Sequence, residues 1–151
     1  MSTTRSLHRP SSAVAAPSAI CVMDADPAAV PILRAFARQT VGRWGRAECA
    51  VESLALIVTE LVTNACLHSG SSQVTLCLFR DEGQVGVHVL DQGRWRDAHH
   101  AVLDEDADLH GRGLRLVRAY ADTMEIRRTE AGTHVVATLL TGAPQAQPDC
   151  A

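Results

Sequence analysis

The longest regular pattern in the chain is helical. From about Ala47 to His68, apolar residues recur at intervals of three and four: Val51, Leu54, Ala55, Val58, Leu61, Val62 and Ala65. That spacing lines one face of an α-helix. An earlier stripe of Val30, Leu33, Phe36, Ala37 and Val41 predicts another helix, ending near Arg43 and opened by Asp26 as cap with Pro27 in the first turn. Alternation marks the strands. Val74, Leu76 and Leu78 alternate with Thr75, Cys77 and Phe79, and Val85, Val87 and Val89 repeat the pattern, so strands are expected at Gln73–Arg80 and Gln84–Asp91. Asp81-Glu82-Gly83 reads as their hairpin turn, and Ser-Gly-Ser-Ser at 69–72 separates them from the helix before. Ser18–Met23 reads as a short strand. Near the end, Gly111-Arg112-Gly113 leads into a helix over Leu114–Ala121. A strand over Met124–Arg128, a turn at Glu130-Ala131-Gly132 and a strand over His134–Leu140 follow. This order predicts an α+β fold: a two-layer α/β sandwich with helices on one face of a mostly antiparallel mixed sheet.

Three segments carry no period. Residues 1–17 are rich in Ser, Thr, Ala and Pro and read as a disordered arm, and residues 142–151 read as a flexible tail. The domain is expected over residues 18–141. Within it, residues 92–109 are polar, acidic and His-containing, and a loop of that length is usually a functional lid or disordered.

Composition narrows the classes. A chain of 151 residues with 46% hydrophobic and 21% charged residues fits one soluble globular domain. With net charge −3 and a pI near 6.1 there is no global basic field to draw in nucleic acid or an acidic membrane surface. All 14 basic residues are arginine, which excludes the phosphate-loop lysine and Schiff-base chemistry. The five cysteines are odd in number and lack C-x-x-C spacing, as expected of reduced, structural thiols. No apolar run approaches the roughly 20 residues of a membrane span, and no apolar core of signal-peptide length follows Arg5 and Arg9. A cytoplasmic protein is expected.

Candidate chemistry is local and, piece by piece, unspecific. Glu60 and Asn64 lie four apart on one helix face, with His68 a turn further. Such a stripe is well explained as the solvated side of the helix, yet a carboxylate beside an amide is also what a metal–phosphate site needs. Asp91 ends a strand before Gln92-Gly93; it is either a turn aspartate or a buried acceptor for an exocyclic amine, with Gly93 leaving space for a ring. Gly111-Arg112-Gly113 is either a turn or a helix start whose first amides receive phosphate. His99, His100 and His110 lack zinc-type spacing, Trp44 is expected to pack at the end of the first helix, and Asp104–Asp108 reads as solvated surface. Arg115 and Arg118 read as solvated, whereas Arg112 stands where a phosphate could be approached.

Taken in order, the pieces are specific. Glu60-Leu61-Val62-Thr63-Asn64-Ala65 with His68, then Asp91-Gln92-Gly93, then Gly111-Arg112-Gly113-Leu114, then Gly132-Thr133 resemble the motif series of the GHKL ATPases, which have the Bergerat fold. Within that superfamily the chain resembles the small anti-sigma factors that are serine-protein kinases, over about Asp26 to Leu140. The resemblance implies ATP and Mg²⁺ as cofactors, with Asn64 as the metal ligand and Glu60 as general base. It implies that Asp91 reads the adenine amino group with Thr133 in support and Gly93 shaping the pocket. It places Gly111, Arg112, Gly113 and Leu114 in the lid segment over the phosphates. Many relatives have a second glycine two positions after the first, where this chain has Trp95. The implied function is phosphorylation of an anti-anti-sigma protein with a STAS domain, alternating with sequestration of an RNA polymerase sigma factor. A homodimer is also implied, and no direct contact with nucleic acid or membrane. The alternative is an ATP-gated binding module with little or no kinase activity, which would need Asn64, Asp91 and the glycines but not Glu60.

Overall fold

Strand alternation becomes a sheet with one face covered and one open. The computed structural model describes residues 18–94 and 107–142, with no account of the side chains of 107–111. The expected arm (1–17), Trp95, His99, His100, most of the 92–109 loop and the tail beyond Gly142 therefore lie outside the described residues, as do the side chains of Asp108 and His110. The elements are β1 (Ser18–Asp24), α1 (Ala29–Arg43), α2 (Glu48–His68), β2 (Gln73–Asp81), β3 (Gln84–Asp91), α3 (Ala107–Tyr120), β4 (Thr123–Thr129) and β5 (Gly132–Leu140). The sheet runs in the order β1-β2-β3-β5-β4. Each pairing is antiparallel, so the parallel component of a mixed sheet does not occur among the described strands.

Val74, Leu76 and Leu78 of β2, Val85, Val87 and Val89 of β3, and Val135, Ala137 and Leu139 of β5 form the dry face. They meet Leu54, Ile57, Val58, Leu61 and Val62 of α2, with Leu33, Ala37 and Val41 of α1 and Val117 of α3 closing the core. By length and composition α2 is apolar enough to cross a membrane, contrary to the sequence expectation of no such run. Here it packs on the sheet and is flanked by α1 and α3, which is why its apolar stripe is so broad. The earlier expectation counted only uninterrupted apolar residues, and Glu52, Ser53, Thr59, Glu60, Thr63 and Asn64 interrupt this one.

Two local details differ from the sequence pattern. Asp26 accepts the Ala28 N–H at 2.7 Å, but on a short turn ahead of α1, so the helix proper begins at Ala29 without a side-chain cap. More consequentially, α3 begins at Ala107, so Gly111 and Gly113 lie inside a helix instead of leading into one. The amides after Gly113 are thus spent within the helix and do not form a free N-terminus for phosphate. The linker after α1 is held to the sheet by arginines. Arg46 donates to Thr141 Oγ1 and the Asp81 carbonyl, while Arg80 donates to the Trp44 carbonyl and covers its ring at 5.7 Å. Trp44 packs at the end of α1, as expected.

Candidate functional site

The site is assembled on α2, because that helix touches both the sheet and α3. Glu60 and Asn64 leave it on one side, four residues apart. Glu60 is half-buried and Asn64 is 8% exposed. Directly opposite is Gly113 of α3: a Cβ built there would stand 2.7 Å from Glu60 Oε2 and 3.9 Å from Asn64 Nδ2. A glycine inside a helix costs about 1 kcal/mol relative to alanine. Here the cost has a packing reason, since α3 could not otherwise approach the carboxylate so closely.

Among the described residues, the buried Nδ2 of Asn64 has no hydrogen-bond partner. An unpaired buried amide costs about 1–3 kcal/mol, so this group is held where a ligand would satisfy it. A half-turn of the amide presents a hard oxygen at the same place. A neutral amide oxygen beside a carboxylate suits Mg²⁺ and phosphate chemistry, so the donor set fits Mg·ATP.

Just past the C-terminal end of α2 a second group forms. Asp91, 6% exposed, closes β3, and its Oδ1 accepts the Gly93 N–H at 2.9 Å. Thr133, 3% exposed, stands opposite it in the β3–β5 register. Both project from the helix-covered face, as their parity with Val89 and Val135 requires. The chain after Asp91 is tied to the end of α2: Arg94 N–H donates to the Ser69 carbonyl at 2.9 Å, and Gln92 N–H donates to Ser71 Oγ at 3.0 Å. A Cβ on Gly93 would overlap the Ser69 carbonyl, and one on Gly132 would overlap the Asp91 carbonyl. Both glycines thus have a chain-packing reason independent of any ring. For Gly132, φ of 137° adds a backbone conformation that favours glycine.

Glu60, Asn64 and Gly113 therefore meet; Asp91 joins Gly93 by a hydrogen bond and Thr133 by register, and the end of α2 adjoins this second group. Arg112 is exposed, as are Arg115 and Arg118, while Leu114 is partly buried against the core. Gly111 lies within α3, one residue position removed from Arg112. Sequence reasoning missed Ser69, a buried serine whose Oγ donates to the Ala65 carbonyl at 2.6 Å and receives the Ser71 N–H. Only its place in a Ser-Gly-Ser-Ser break was visible, and that pattern signals a turn with no hint of burial. Burial pushes the Cys66 thiol up, and the Asp26 carboxylate adds to it; burial likewise pushes up the Cys77 thiol, on the other face of the sheet.

The Gly113 contact gives a sharp expectation. Gly113→Ala should leave thermal stability unchanged or raise it by up to about 1 kcal/mol, because alanine favours helix and the Glu60 carboxylate can swing away. Any activity that depends on the position of Glu60 should fall. A melting curve and a phosphoryl-transfer assay on the same preparation read the two effects; a destabilised variant would mean that the contact is rigid.

The fold is shared with solved proteins. The crystal structure of the RsbU and RsbW domains of Rv1364c from Mycobacterium tuberculosis superposes with a TM-score of 0.63 at 20% identity, over 81% of this chain and 32% of that one. The chain thus spans about a third of that protein's length. No curated protein matches it. The profile of the histidine kinase-like ATPase domain matches residues 23–139, from the end of β1 to the end of β5, and the chain belongs to that family.

Proposed function

We propose that this chain is an ATP-binding anti-sigma regulatory factor with serine/threonine protein kinase activity. Its substrate would be an anti-anti-sigma protein with a STAS domain, and its second partner a sigma factor that it sequesters. The observation that carries the reading is the meeting of the Glu60 carboxylate with the buried, unpartnered Asn64 amide beside Gly113. The family, the ordered motifs and the likeness to a structure that contains an RsbW domain support it. The cytoplasm is the compartment where such partners are met.

In this reading Asp91 accepts from the adenine amino group, and Thr133 lies beside it as a second polar anchor. Asp91 is held for that task by the Gly93 N–H, which fixes one carboxylate oxygen. Asn64 binds at the phosphate end, where Gly113 of α3 faces it; Gly111 and Arg112 belong to the same helix, which Leu114 anchors to the core. Mg²⁺, when bound, neutralises charge on the phosphates. Glu60 accepts the proton of the attacking serine hydroxyl at a carboxylate oxygen, and positioning does the rest.

The test has two parts. Mg·ATP should raise the melting temperature of the wild type, and Asn64→Ala should lose that rise while its ligand-free stability stays within about 1 kcal/mol, since the substitution also removes an unpaired buried amide. Labelled ATP should then pass its γ-phosphoryl group to a STAS-domain protein carrying the acceptor serine. Nucleotide binding without transfer to any such protein would leave a binding module, and no binding would remove the reading altogether.

A further inference from the structure

The three residues after β3 are held by partners outside the sheet. Up to Asp91 the strand is paired on both sides, with Val74 of β2 and Thr133 of β5 as its last partners. There the ladder ends, and the next three amides need acceptors elsewhere. Gln92 N–H donates to Ser71 Oγ at 3.0 Å, Gly93 N–H to Asp91 Oδ1 at 2.9 Å, and Arg94 N–H to the Ser69 carbonyl at 2.9 Å. The bond that orients the Asp91 carboxylate thus lies between two bonds to the segment that ends α2.

Both serines are themselves fixed. A hydroxyl has one proton to donate and two lone pairs with which to accept. Ser71 Oγ uses all three: it donates to the Gln73 carbonyl at 2.6 Å and accepts the N–H groups of Gln73, at 3.3 Å, and of Gln92. Ser69 is buried, and its Oγ donates to the Ala65 carbonyl at 2.6 Å, which ties it to the last turn of α2. The same oxygen accepts the Ser71 N–H at 3.0 Å. The Ser69 carbonyl fills the space that a Cβ on Gly93 would need, so the two segments lie in direct contact.

An aspartate that accepts the N–H two residues on can close such a turn in any loop. What the serines add is the direction in which the turn, and with it the carboxylate, is held.

We propose that Ser69 and Ser71 form a latch: as positioning residues they hold the peptides of Gln92, Gly93 and Arg94 so that the Asp91 carboxylate meets an exocyclic amino group, and they thereby set the preference for adenine over a purine that lacks that group. This rests on the assignment of Asp91 to the adenine amino group made above. Neither serine needs to touch the nucleotide. A purine without the amino group gains nothing from the carboxylate, so its affinity is indifferent to where the carboxylate points. ATP affinity is not.

Calorimetric titration of the full chain tests this, with Mg·ATP and with the Mg²⁺ complex of purine riboside triphosphate, which has hydrogen in place of the amino group. Wild type should favour ATP. Ser71→Ala should bind ATP about five- to tenfold more weakly, on the scale of one hydrogen bond, and bind the analogue as before. Ser71→Thr keeps the hydroxyl and should bring ATP affinity back to within about twofold of wild type. Ser69→Ala should lower the ATP preference in the same direction, because the Ser71 N–H loses its acceptor. An equal fall for both nucleotides in Ser71→Ala, or an unchanged preference, overturns the latch and leaves Asp91 in its role. A wild type that binds both nucleotides alike, or neither, overturns the assignment of Asp91 and the latch with it.

Discussion

Glu60→Gln should abolish phosphoryl transfer while leaving nucleotide binding almost unchanged. A positioned general base contributes about 10²–10⁴-fold to rate, and glutamine keeps the shape of glutamate while losing its capacity to accept a proton. The side chain is half-buried and its carboxylate lies next to Gly113, so an isosteric exchange disturbs no packing. The Asn64 amide, which the proposal places at the phosphate end, is untouched by the change. Melting temperature with and without Mg·ATP should therefore match the wild type, and only transfer to the STAS-domain acceptor should fall. Wild-type transfer by Glu60→Gln would sink the assignment of the base. Its position on α2 would then be no more than a place on a polar stripe.

The largest effect on stability is expected at Gly132. Its φ of 137° is one that side chains rarely adopt, and an added Cβ would overlap the Asp91 carbonyl and crowd Gln92 Cα at 2.7 Å. Both are backbone atoms, so no rotamer change relieves the clash. Gly132→Ala should cost about 3 kcal/mol or more, combining overpacking with backbone strain, and lower the melting temperature by roughly 10 °C. Gly42→Ala is the matched control: it lies in α1, with nothing within 4 Å of the added Cβ. It should stabilise by about 0.5–1 kcal/mol through helix propensity. If Gly132→Ala melts with the wild type, β5 is not held against the end of β3 as described, and the pairing of Asp91 with Thr133 goes with it.

The Gly132 contact also shows where the sequence stopped being informative. Gly132-Thr133 was visible as the last piece of a motif series, and the series sufficed to identify the family. Why a glycine stands there was not visible, because its neighbour is Asp91, some forty positions away along the chain. The same holds for Gly93, whose missing side chain is explained by the Ser69 carbonyl as well as by any space left for a ring. From sequence, Gly111-Arg112-Gly113 reads as a turn or as a helix start, and glycine is a weak helix former. Packing of α3 against α2 overrides that propensity, and the glycine at 113 becomes the point of closest approach to Glu60.

The sequence by itself determined the elements and their faces. Periods of 3.6 and 2 follow from backbone geometry within a few residues, so α2, the β2–β3 hairpin and the covered side of the sheet were legible without a structure. It also determined the family, through motifs whose order is a property of the chain alone. Only the tertiary structure decided which polar groups meet. Asn64 became a buried amide without a partner, Gly113 came to lie beside Glu60, and His88 came to stack on His134. The reason is range: a helix or strand pattern is local, whereas strand order, register and helix packing join residues that no periodicity links.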